Sequence, residues 1–391
     1  MMKQTELMPK RQFKEFQNTD SWEQRKLNDV TKKIGSGKTP RGGSSVYIKS
    51  GIPLLRSQNI NNDRVDFEDV VYITEFMDEE MSNSRIKQND ILLNITGASI
   101  GRSAVYELAG SANVNQHVCI IRPNKEINPY FIQLNLTSIK GQKQIDVNQA
   151  GGAREGLNFQ QVGKINFAYP KYKEQQKIGQ FFKHLDEMIT LEQRKIDKTK
   201  ALKSAYLAEM FPAEGERVPK RRFAEFKDVW EKMQLGDVLC VNSGKDYKHL
   251  NQGNIPVYGT GGLMLYVDDK LSNVDGIGIG RKGTLDRPQY LKAPFWTVDT
   301  LYFLTSIHKV DLYFMYVKTQ TIDWKKKDES SGVPSLSKNS IEKTTIYLPC
   351  IKEQHKLGAF FKKIDATILN HQRKLDKLKA TKQAYLHEMF V

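Results

Sequence analysis

The stretch from Glu174 to Phe211 reads EQQKIGQFFKHLDEMITLEQRKIDKTKALKSAYLAEMF, and the stretch from Glu353 to Phe390 reads EQHKLGAFFKKIDATILNHQRKLDKLKATKQAYLHEMF. At an offset of 179 residues, 23 of these 38 positions are identical without a gap. Shared helical composition does not produce such agreement, and a repeat must be recognised before any single motif is interpreted. We therefore expect the 391 residues to be a tandem duplication of one folding unit.

A second repeat precedes each copy of the long stretch. MPKRQFKEF begins at Met8 and VPKRRFAEF begins at Val218. The blocks between these markers differ strongly, with a faint similarity between GIPLLRSQNI at Gly51 and NIPVYGTGGL at Asn254. Both blocks are rich in Gly, Asn and Ser and in short β-branched or aromatic runs, a composition typical of strands joined by turns. They are predicted to form two related domains whose surfaces have diverged.

Apolar residues in each long stretch alternate by four and three positions, which is the spacing of a coiled-coil seam. The seam positions are Ile178, Phe182, Leu185, Ile189, Glu192, Ile196 and Thr199 in the first copy, and Leu357, Phe361, Ile364, Ile368, His371, Leu375 and Leu378 in the second. Neither helix can bury its stripe alone, so we expect the two to pair antiparallel as a rod with one variable domain at each end. Glu192 and His371 occupy equivalent positions near the centre and are candidates for a direct contact; the alternative is that both tilt into solvent.

These patterns predict an α+β fold that arose by pseudo-twofold tandem duplication. A pair of long antiparallel coiled-coil helices separates two strand-and-turn-rich domains. The expected boundaries are a first domain over residues 1–170, a central helix and linker over 171–217, a second domain over 218–349 and a distal helix over 350–391.

The composition indicates an anionic partner. Lysine and arginine total 60 against 45 acids, a formal charge of +15, which suits nucleic acid or an anionic membrane. No run of about 18 apolar residues occurs and the first residues lack the apolar stretch of a secretion signal, so we expect a cytoplasmic protein without a membrane partner. Three distant cysteines without a CxxC pair, and seven histidines without ligand spacing, argue against disulfides and structural zinc.

The charge is unevenly placed. Thr31–Ile60 carries six bases and no acid, whereas Asn61–Asp90 carries three bases and nine acids. We expect a basic face and an acidic back in the first domain, as one-sided docking on phosphates would require. The alternative is an ordinary solvated loop.

Two apparent motifs are rejected by their context. Gly278–Gly283 has the GxGxxG spacing of a dinucleotide loop, but the prolines that follow exclude the required helix, which leaves a glycine-bearing strand turn as the better interpretation. Asn128-Pro129-Tyr130 lacks the second proline of an adenine methyltransferase motif and is expected to start a helix. No Walker loop is present. We predict that this chain has no catalytic, cofactor or metal site.

Taken in order, these features resemble a known family. They are the duplicated Pro-x-x-x-Glu-Gln at the start of a long helix, a preceding Gly-rich turn with leucine (GGAREGLNF at Gly151 and SGVPSLSKN at Ser331), and the helix ends AYLAEMF and AYLHEMF. Over essentially the whole chain they resemble the specificity subunit of type I restriction-modification systems. The resemblance implies two target-recognition domains, each for one half of a bipartite, asymmetric site in double-stranded DNA.

The resemblance also implies partners. The repeated helices would set the spacer between the half-sites and dock two methyltransferase subunits, and two motor-nuclease subunits would join for restriction. S-adenosylmethionine, ATP and Mg are then expected on those partners, and this chain would be non-catalytic. The alternative function is a non-catalytic coiled-coil scaffold or adapter that joins two ligand-binding domains.

Candidate DNA contacts follow from residue type, because Arg suits guanine edges, Asn and Gln suit adenine, and Ser and Thr suit phosphates. The candidates in the first domain are Lys38, Thr39, Arg41, Arg56, Ser57, Gln58, Asn59, Arg102, Gln116 and His117. Those in the second are Lys245, Tyr247, Lys248, Tyr258, Thr260, Arg281, Lys282 and Arg287. The alternative for each is a solvated surface residue.

Overall fold

The computed structural model describes residues 7–61, 63–149, 156–307, 309–328, 330 and 332–391. The chain forms two compact units. Unit 1 contains Met1–Leu191 with Leu375–Val391, and unit 2 contains Glu192–Lys374. Each unit therefore combines one globular α+β domain with segments of both long helices. Among the described residues, no helix is long and apolar enough to cross a bilayer.

The domain of unit 1 is built from short strands and helices. Its strands are β1 (Glu23–Lys26), β2 (Thr31–Ser36), β3 (Ile52–Leu55), β4 (Ile60–Asn61), β5 (Arg64–Val65), β6 (Val71–Ile73), β7 (Arg85–Ile86), β8 (Ile91–Asn94), β9 (Ser103–Val105), β10 (Ala112–Val114), β11 (Val118–Pro123) and β12 (Asn166–Tyr169). Its helices are α1 (Leu27–Val30), α2 (Glu75–Glu80), α3 (Pro129–Thr137), α4 (Ile139–Gln149) and α5 (Phe159–Lys164), followed by the long helix α6 (Tyr172–Met210).

The domain of unit 2 follows the same plan with longer hairpins. Its strands are β13 (Glu231–Gln234), β14 (Leu239–Ser243), β15 (Gln252–Gly259), β16 (Gly262–Val267), β17 (Gly276–Gly280), β18 (Gln289–Leu291), β19 (Trp296–Thr297), β20 (Leu301–Ser306) and β21 (Thr345–Leu348). Its helices are α7 (Leu235–Val238), α8 (Leu312–Thr319) and α9 (Lys338–Glu342), followed by the long helix α10 (Ile351–Glu388).

The two domains share one sheet topology. A four-stranded sheet has the order β2-β11-β8-β9 in unit 1 and β14-β20-β17-β18 in unit 2. A second sheet contains the parallel pair β3 and β10 in unit 1 and the parallel pair β15 and β19 in unit 2. The prediction of two related strand-and-turn domains is confirmed, and the two Ile-Pro steps lie on the equivalent strands β3 and β15.

The long helices pair antiparallel within each unit. In unit 1 the start of α6 meets the end of α10, where the rings of Phe181 and Tyr385 lie 5.0 Å apart. In unit 2 the end of α6 meets the start of α10, with Tyr206 and Phe360 at 5.1 Å. The buried members of the predicted seam are Ile178, Phe182, Leu185, Glu192, Ile196, Leu357, Phe361 and Leu375. The coiled-coil spacing therefore identified the packed stripe correctly.

The predicted contact between the two central seam residues is confirmed in unit 2. Nδ1 of His371 lies 2.7 Å from Oε2 of Glu192, whose side chain is buried. Lys374 donates to Oε1 of the same carboxylate at 2.8 Å, and Lys195 donates to it at 3.1 Å. The bonds from Lys374 and His371 lower the pKa of Glu192 to about 2. Three cationic or polar donors thus hold one buried anion in the seam.

The repeated segment that precedes each domain bonds to both long helices of its unit. In unit 1 the main-chain N–H of Arg11 donates to the carbonyl of Glu388, and its guanidinium forms an ion pair with the Glu388 carboxylate. The next residue, Gln12, donates its amide to Oε1 of Glu174 at 3.0 Å. Because Glu388 ends α10 and Glu174 lies in the first turn of α6, the segment bridges the two helices.

In unit 2 the repeated segment bonds to both long helices in the same way, with one difference. Arg221 bonds to the carbonyl and the carboxylate of Glu209 near the end of α6. Arg222 stands where unit 1 has Gln12, and it grips Glu353 with two hydrogen bonds of 2.7 Å. A charged, bidentate partner is stronger than a neutral amide, so the buried carboxylate of unit 2 is better compensated than its counterpart.

The Glu-Gln pair at the start of each long helix has a structural explanation. Gln175 accepts a hydrogen bond from the main-chain N–H of Asn128 at 3.0 Å and donates to the carbonyl of Pro170 at 2.9 Å. Gln354 makes the same two bonds in unit 2. Each glutamine therefore ties a long helix to the start of a domain helix, which accounts for the fixed spacing from proline to glutamine.

The two rejected motifs are resolved as the sequence predicted. Asn128 caps α3 by accepting from the N–H of Phe131 at 3.1 Å, so Asn-Pro-Tyr starts a helix. The glycines of the GxGxxG stretch up to Gly280 lie in the buried strand β17, and a Cβ on Gly280 would lie 2.0 Å from the carbonyl oxygen of Thr284. In the Gly-rich turn GGAREGLNF, residues 151–155 lie outside the described residues.

Candidate nucleic-acid interface

Four loops of unit 1 meet at one edge of its sheets, and we call them the strand-end loops of unit 1. They are residues 37–41, 56–61, 95–102 and 115–117, and they follow β2, β3, β8 and β10. Main-chain hydrogen bonds join them. The N–H of Lys38 donates to the carbonyl of Val114 at 3.2 Å, and the N–H of Ile95 donates to that of His117 at 3.0 Å. Within each sheet the strands that carry these loops run in the same direction, because β3 and β10 are a parallel pair and β2 and β8 are both antiparallel to β11.

Unit 2 has the same four loops, the strand-end loops of unit 2. They are residues 244–248, 259–261, 281–283 and 298–300, which begin at or directly after the ends of β14, β15, β17 and β19. Lys245 donates its N–H to the carbonyl of Thr297 at 2.9 Å, and Arg281 donates to that of Thr300 at 2.8 Å. These bonds correspond to those in unit 1, so Lys38 and Lys245 occupy equivalent positions.

One glycine in each unit permits this arrangement. A Cβ on Gly37 would lie 1.7 Å from the carbonyl oxygen of Val114, and a Cβ on Gly244 would lie 2.0 Å from that of Val298. Both distances are impossible for a real side chain, so glycine is required where the first loop crosses the fourth. The lysine after each glycine is thereby held at the edge of the sheets.

The predicted contact residues differ in exposure. Those with exposed side chains are Lys38, Arg41, Gln58, Arg102 and Gln116 in unit 1 and Lys245, Lys248, Lys282 and Arg287 in unit 2. Those partly exposed are Thr39, Arg56, Ser57 and His117 in unit 1 and Tyr247, Tyr258, Thr260 and Arg281 in unit 2. All lie in or directly beside the strand-end loops except Arg287, which lies further along the connection to β18. The side chains that differ between the units are thus displayed on one common frame.

Arg56 and Gln58 share an acidic partner. The guanidinium of Arg56 donates to the carboxylate of Asp69 at 3.2 Å and to its carbonyl at 2.9 Å, and the amide of Gln58 donates to the same carboxylate. The predicted separation into a basic face and an acidic back is therefore wrong at Arg56, because the acidic segment folds back onto it. A surface ion pair of this kind is weak and exchanges readily for a phosphate or a base.

Asn59 is buried instead of open to a ligand. Its side chain is 2% exposed, its amide donates to the carbonyls of Asp66 and Asp69 at 3.1 Å, and its Oδ1 accepts from the N–H of Arg56. Since these bonds occupy the amide, the expectation that Asn59 contacts a base does not fit its environment. Its role here is to shape the loop that displays Arg56 and Gln58.

Arg102 and His117 are anchored within the cluster. Arg102 donates to Oδ1 of Asn61 at 3.1 Å, which joins the third loop to the second. Nδ1 of His117 lies 2.6 Å from the hydroxyl oxygen of Thr96, which leaves Nε2 for another partner. Both residues present a polar edge while a neighbouring loop fixes their position.

Sequence reasoning missed two amides that brace the loops. Asn94 donates to the carbonyl of Ser57 at 2.8 Å, and Gln289 donates to the carbonyl of Gly259 at 2.8 Å. An isolated amide at a strand end has no periodicity and no partner nearby in sequence. Only the three-dimensional arrangement of the two sheets, in which the end of β8 meets the loop after β3 and the start of β18 meets the end of β15, shows what these amides hold.

A family model for the type I restriction-modification DNA specificity domain matches the chain twice, at residues 19–201 and 227–380. Each match runs through one domain and into the long helix that follows it. The chain belongs to the type I restriction-modification DNA specificity family.

Individual members of this family are distant in sequence. A protein of Methanocaldococcus jannaschii, named as the MjaX specificity subunit of a type I restriction enzyme, is 23% identical over 94% of this chain and 92% of its own length. The EcoBI specificity subunit of Escherichia coli is 28% identical over 43% of this chain and 36% of its own length. The crystal structure of the S subunit of a type I restriction-modification system from M. genitalium superposes with a TM-score of 0.73 at 16% identity, covering 98% of this chain and 99% of that one. That likeness shows a shared fold.

Proposed function

We propose that this specificity-family chain selects DNA for a type I restriction-modification complex, with each unit recognising one half of a bipartite, asymmetric site. Unit 1 would contact its half-site through the strand-end loops that carry Lys38, Arg41 and Arg102. Unit 2 would use Lys245, at the position equivalent to Lys38, and Arg281, in the loop equivalent to that of Arg102.

The observation that carries this proposal is the equivalence of the two loop clusters. The main-chain bonds that hold Lys38 and Lys245 are equivalent. The neighbouring residues Arg56, Ser57 and Gln58 of unit 1 are nevertheless replaced in unit 2 by the run Gly259-Thr260-Gly261. One frame with two different sets of side chains is what recognition of two different half-sites requires.

The chemistry is assigned to partners in this proposal. Two methyltransferase subunits would dock on the repeated helices and would bind S-adenosylmethionine, and two motor-nuclease subunits with ATP and Mg would join for restriction. The antiparallel pairing of α6 and α10 in each unit supports this, because it offers the same helical surface twice and so suits two copies of one partner. The chain itself would act without catalysis and in the cytoplasm.

The function is tested by mapping N6-methyladenine in cells that carry this chain with a methyltransferase subunit. The expected result is one bipartite, asymmetric motif. Exchange of the block Trp22–Lys164 for that of a relative should then alter one half of the motif and leave the other half and the spacer unchanged. Alteration of both halves would contradict the modular assignment. Absence of both motif-specific methylation and salt-sensitive binding to duplex DNA would favour the scaffold function.

A point variant tests the loop face of unit 1. Lys38→Ala should weaken binding of the full chain to duplex DNA and reduce the slope of log affinity against log salt by about one unit, as loss of one phosphate contact does. Lys125→Ala is the matched control, because Lys125 is also exposed but follows the far end of β11. Equal effects of the two substitutions would mean that only overall charge matters.

A further inference from the structure

The amino group of Lys382, near the end of α10, is buried in unit 1 between two carboxylates. Nζ lies 2.7 Å from Oδ2 of Asp63 and 2.8 Å from Oδ1 of Asp186, and the Lys382 side chain is 8% exposed. Burial alone would lower the pKa of Lys382, but the two aspartates raise it above its usual value. Burial also raises the pKa of Asp186 despite this bond. The amine is thus charged and bound on both sides.

Asp63 belongs to the hairpin formed by β4 and β5. It has a left-handed backbone with a φ of 61°. Its second oxygen, Oδ1, accepts from the amide of Gln133 at 3.1 Å and from the hydroxyl of Thr137 at 3.2 Å. The residue after it, Arg64, donates to the carbonyl of Asp186 on α6. The hairpin is therefore fixed to α3, α6 and α10 through one carboxylate and its neighbour.

The same hairpin continues the second strand-end loop of unit 1. The N–H of Asp66 donates to the carbonyl of Asn59 at 2.7 Å, and Asn61 accepts from the guanidinium of Arg102. Asn59 in turn holds the turn that presents Arg56. A displacement of Asp63 would therefore shift the candidate DNA contacts Arg56 and Arg102.

Unit 2 contains the equivalent ion pair without this connection. Lys203 and Asp365, at the repeat offset from Lys382 and Asp186, lie 2.7 Å apart. Lys203 also donates to Oε1 of Gln320 at 2.9 Å. Gln320 lies directly after α8 and outside the strand-end loops. Among the described residues of unit 2, no hairpin carboxylate takes the place of Asp63.

We propose that Lys382 is a positioning residue for DNA recognition by unit 1, in which the distal helix fixes the loop of residues 56–61 through Asp63. The inference rests on the proposed function and deepens it: a residue near the end of the chain governs the half-site of the first domain. Removal of the amine leaves the carboxylates of Asp63 and Asp186 facing one another. Their repulsion displaces Asp63, and the hairpin loses its bond to α10 while its bonds to α3 and α6 remain.

The experiment compares Lys382→Met, which keeps the length of the side chain and removes its charge, with Lys203→Met, which removes the matched pair in unit 2. Purified complexes of the full chain with its methyltransferase subunit are assayed on duplexes with single base changes in either half-site. The half-site of unit 1 is the one altered by the Trp22–Lys164 exchange. Lys382→Met should reduce discrimination in that half by about tenfold, the scale of one lost base contact, and leave the other half within about twofold. Lys203→Met should not reduce discrimination in the half-site of unit 1.

Two further variants separate positioning from folding. Lys382→Arg keeps the charge and should retain discrimination. Lys382→Met combined with Asp63→Asn removes the repulsion and should regain thermal stability without regaining discrimination, because α10 still does not hold the hairpin. Unchanged discrimination in a folded Lys382→Met complex, or an equal loss in both half-sites, would overturn the positioning role. Absence of motif-specific methylation by the wild-type complex would instead count against the proposed function.

Discussion

Replacement of Glu192 by glutamine should destabilise unit 2 by about 2 kcal/mol at neutral pH. Its carboxylate is 2% exposed and bound by His371, Lys374 and Lys195, and its pKa falls from 4.5 to about 2. At about 1.4 kcal/mol for each pKa unit, this shift corresponds to roughly 3 kcal/mol. Because the Lys374 side chain is 56% exposed, solvent screening reduces the figure to about 2 kcal/mol.

The pH dependence of this effect has a defined sign. A carboxylate whose pKa is lower in the folded state stabilises that state above its unfolded pKa and loses this contribution as the pH falls through its folded pKa. The difference between wild type and Glu192→Gln in free energy of unfolding should therefore be complete at pH 7. It should shrink as the pH is lowered from 4.5 towards 2.

Urea denaturation followed by circular dichroism measures this difference, with Asp197→Asn as the control for loss of an exposed acid on the same helix. A double exchange, Glu192→His with His371→Glu, provides the sharper assay. Because Lys195 and Lys374 are equivalent in the repeat, the exchanged pair should regain most of the stability that either single substitution loses. The reasoning is refuted if Glu192→Gln and Asp197→Asn cost the same, or if the double exchange is no better than the worse single variant.

Two further outcomes are expected from the repeat. Gln12→Arg copies the Arg222–Glu353 pair into unit 1. Because burial raises the pKa of Glu174, the added cation should raise the free energy of unfolding by about 1 kcal/mol at pH 7 and by much less below pH 4. Urea titration measures the change, and a loss of stability at pH 7 would contradict the prediction. Truncation after Glu216 leaves one domain and one long helix, which should self-associate in light scattering and specify a symmetric methylation motif; a monomer at all concentrations would count against helix pairing.

The sequence was most informative where contacts follow a period or a repeat. Coiled-coil spacing located the buried stripe, and the offset of 179 residues in an antiparallel pair predicted the contact between Glu192 and His371. These successes depend on local helix geometry, in which the position along the chain determines the face.

Contacts between strands and loops were beyond such reasoning. Asp63 and Lys382 are 319 positions apart, and nothing near either residue indicates the other. Asp69 was assigned to an acidic back because net charge was counted along the chain, whereas the β3–β6 pairing returns it to Arg56. Residue type alone named Asn59 as a base contact, although its amide is used by the main chain. Register and topology decide these cases, and neither is encoded in composition.

The strand-end loops are joined to one another largely through peptide groups, and such bonds do not depend on which side chain a residue carries. In the proposed interface, substitutions at Lys38, Gln58 or Lys245 would therefore change what the loop face recognises without changing its shape. A frame of this kind allows new preferences to arise by single substitutions while the fold retains its stability. The two units of this chain already show such divergence, since one duplicated frame now carries two different loop surfaces. Further substitution in the loops of one unit need not disturb the loops of the other.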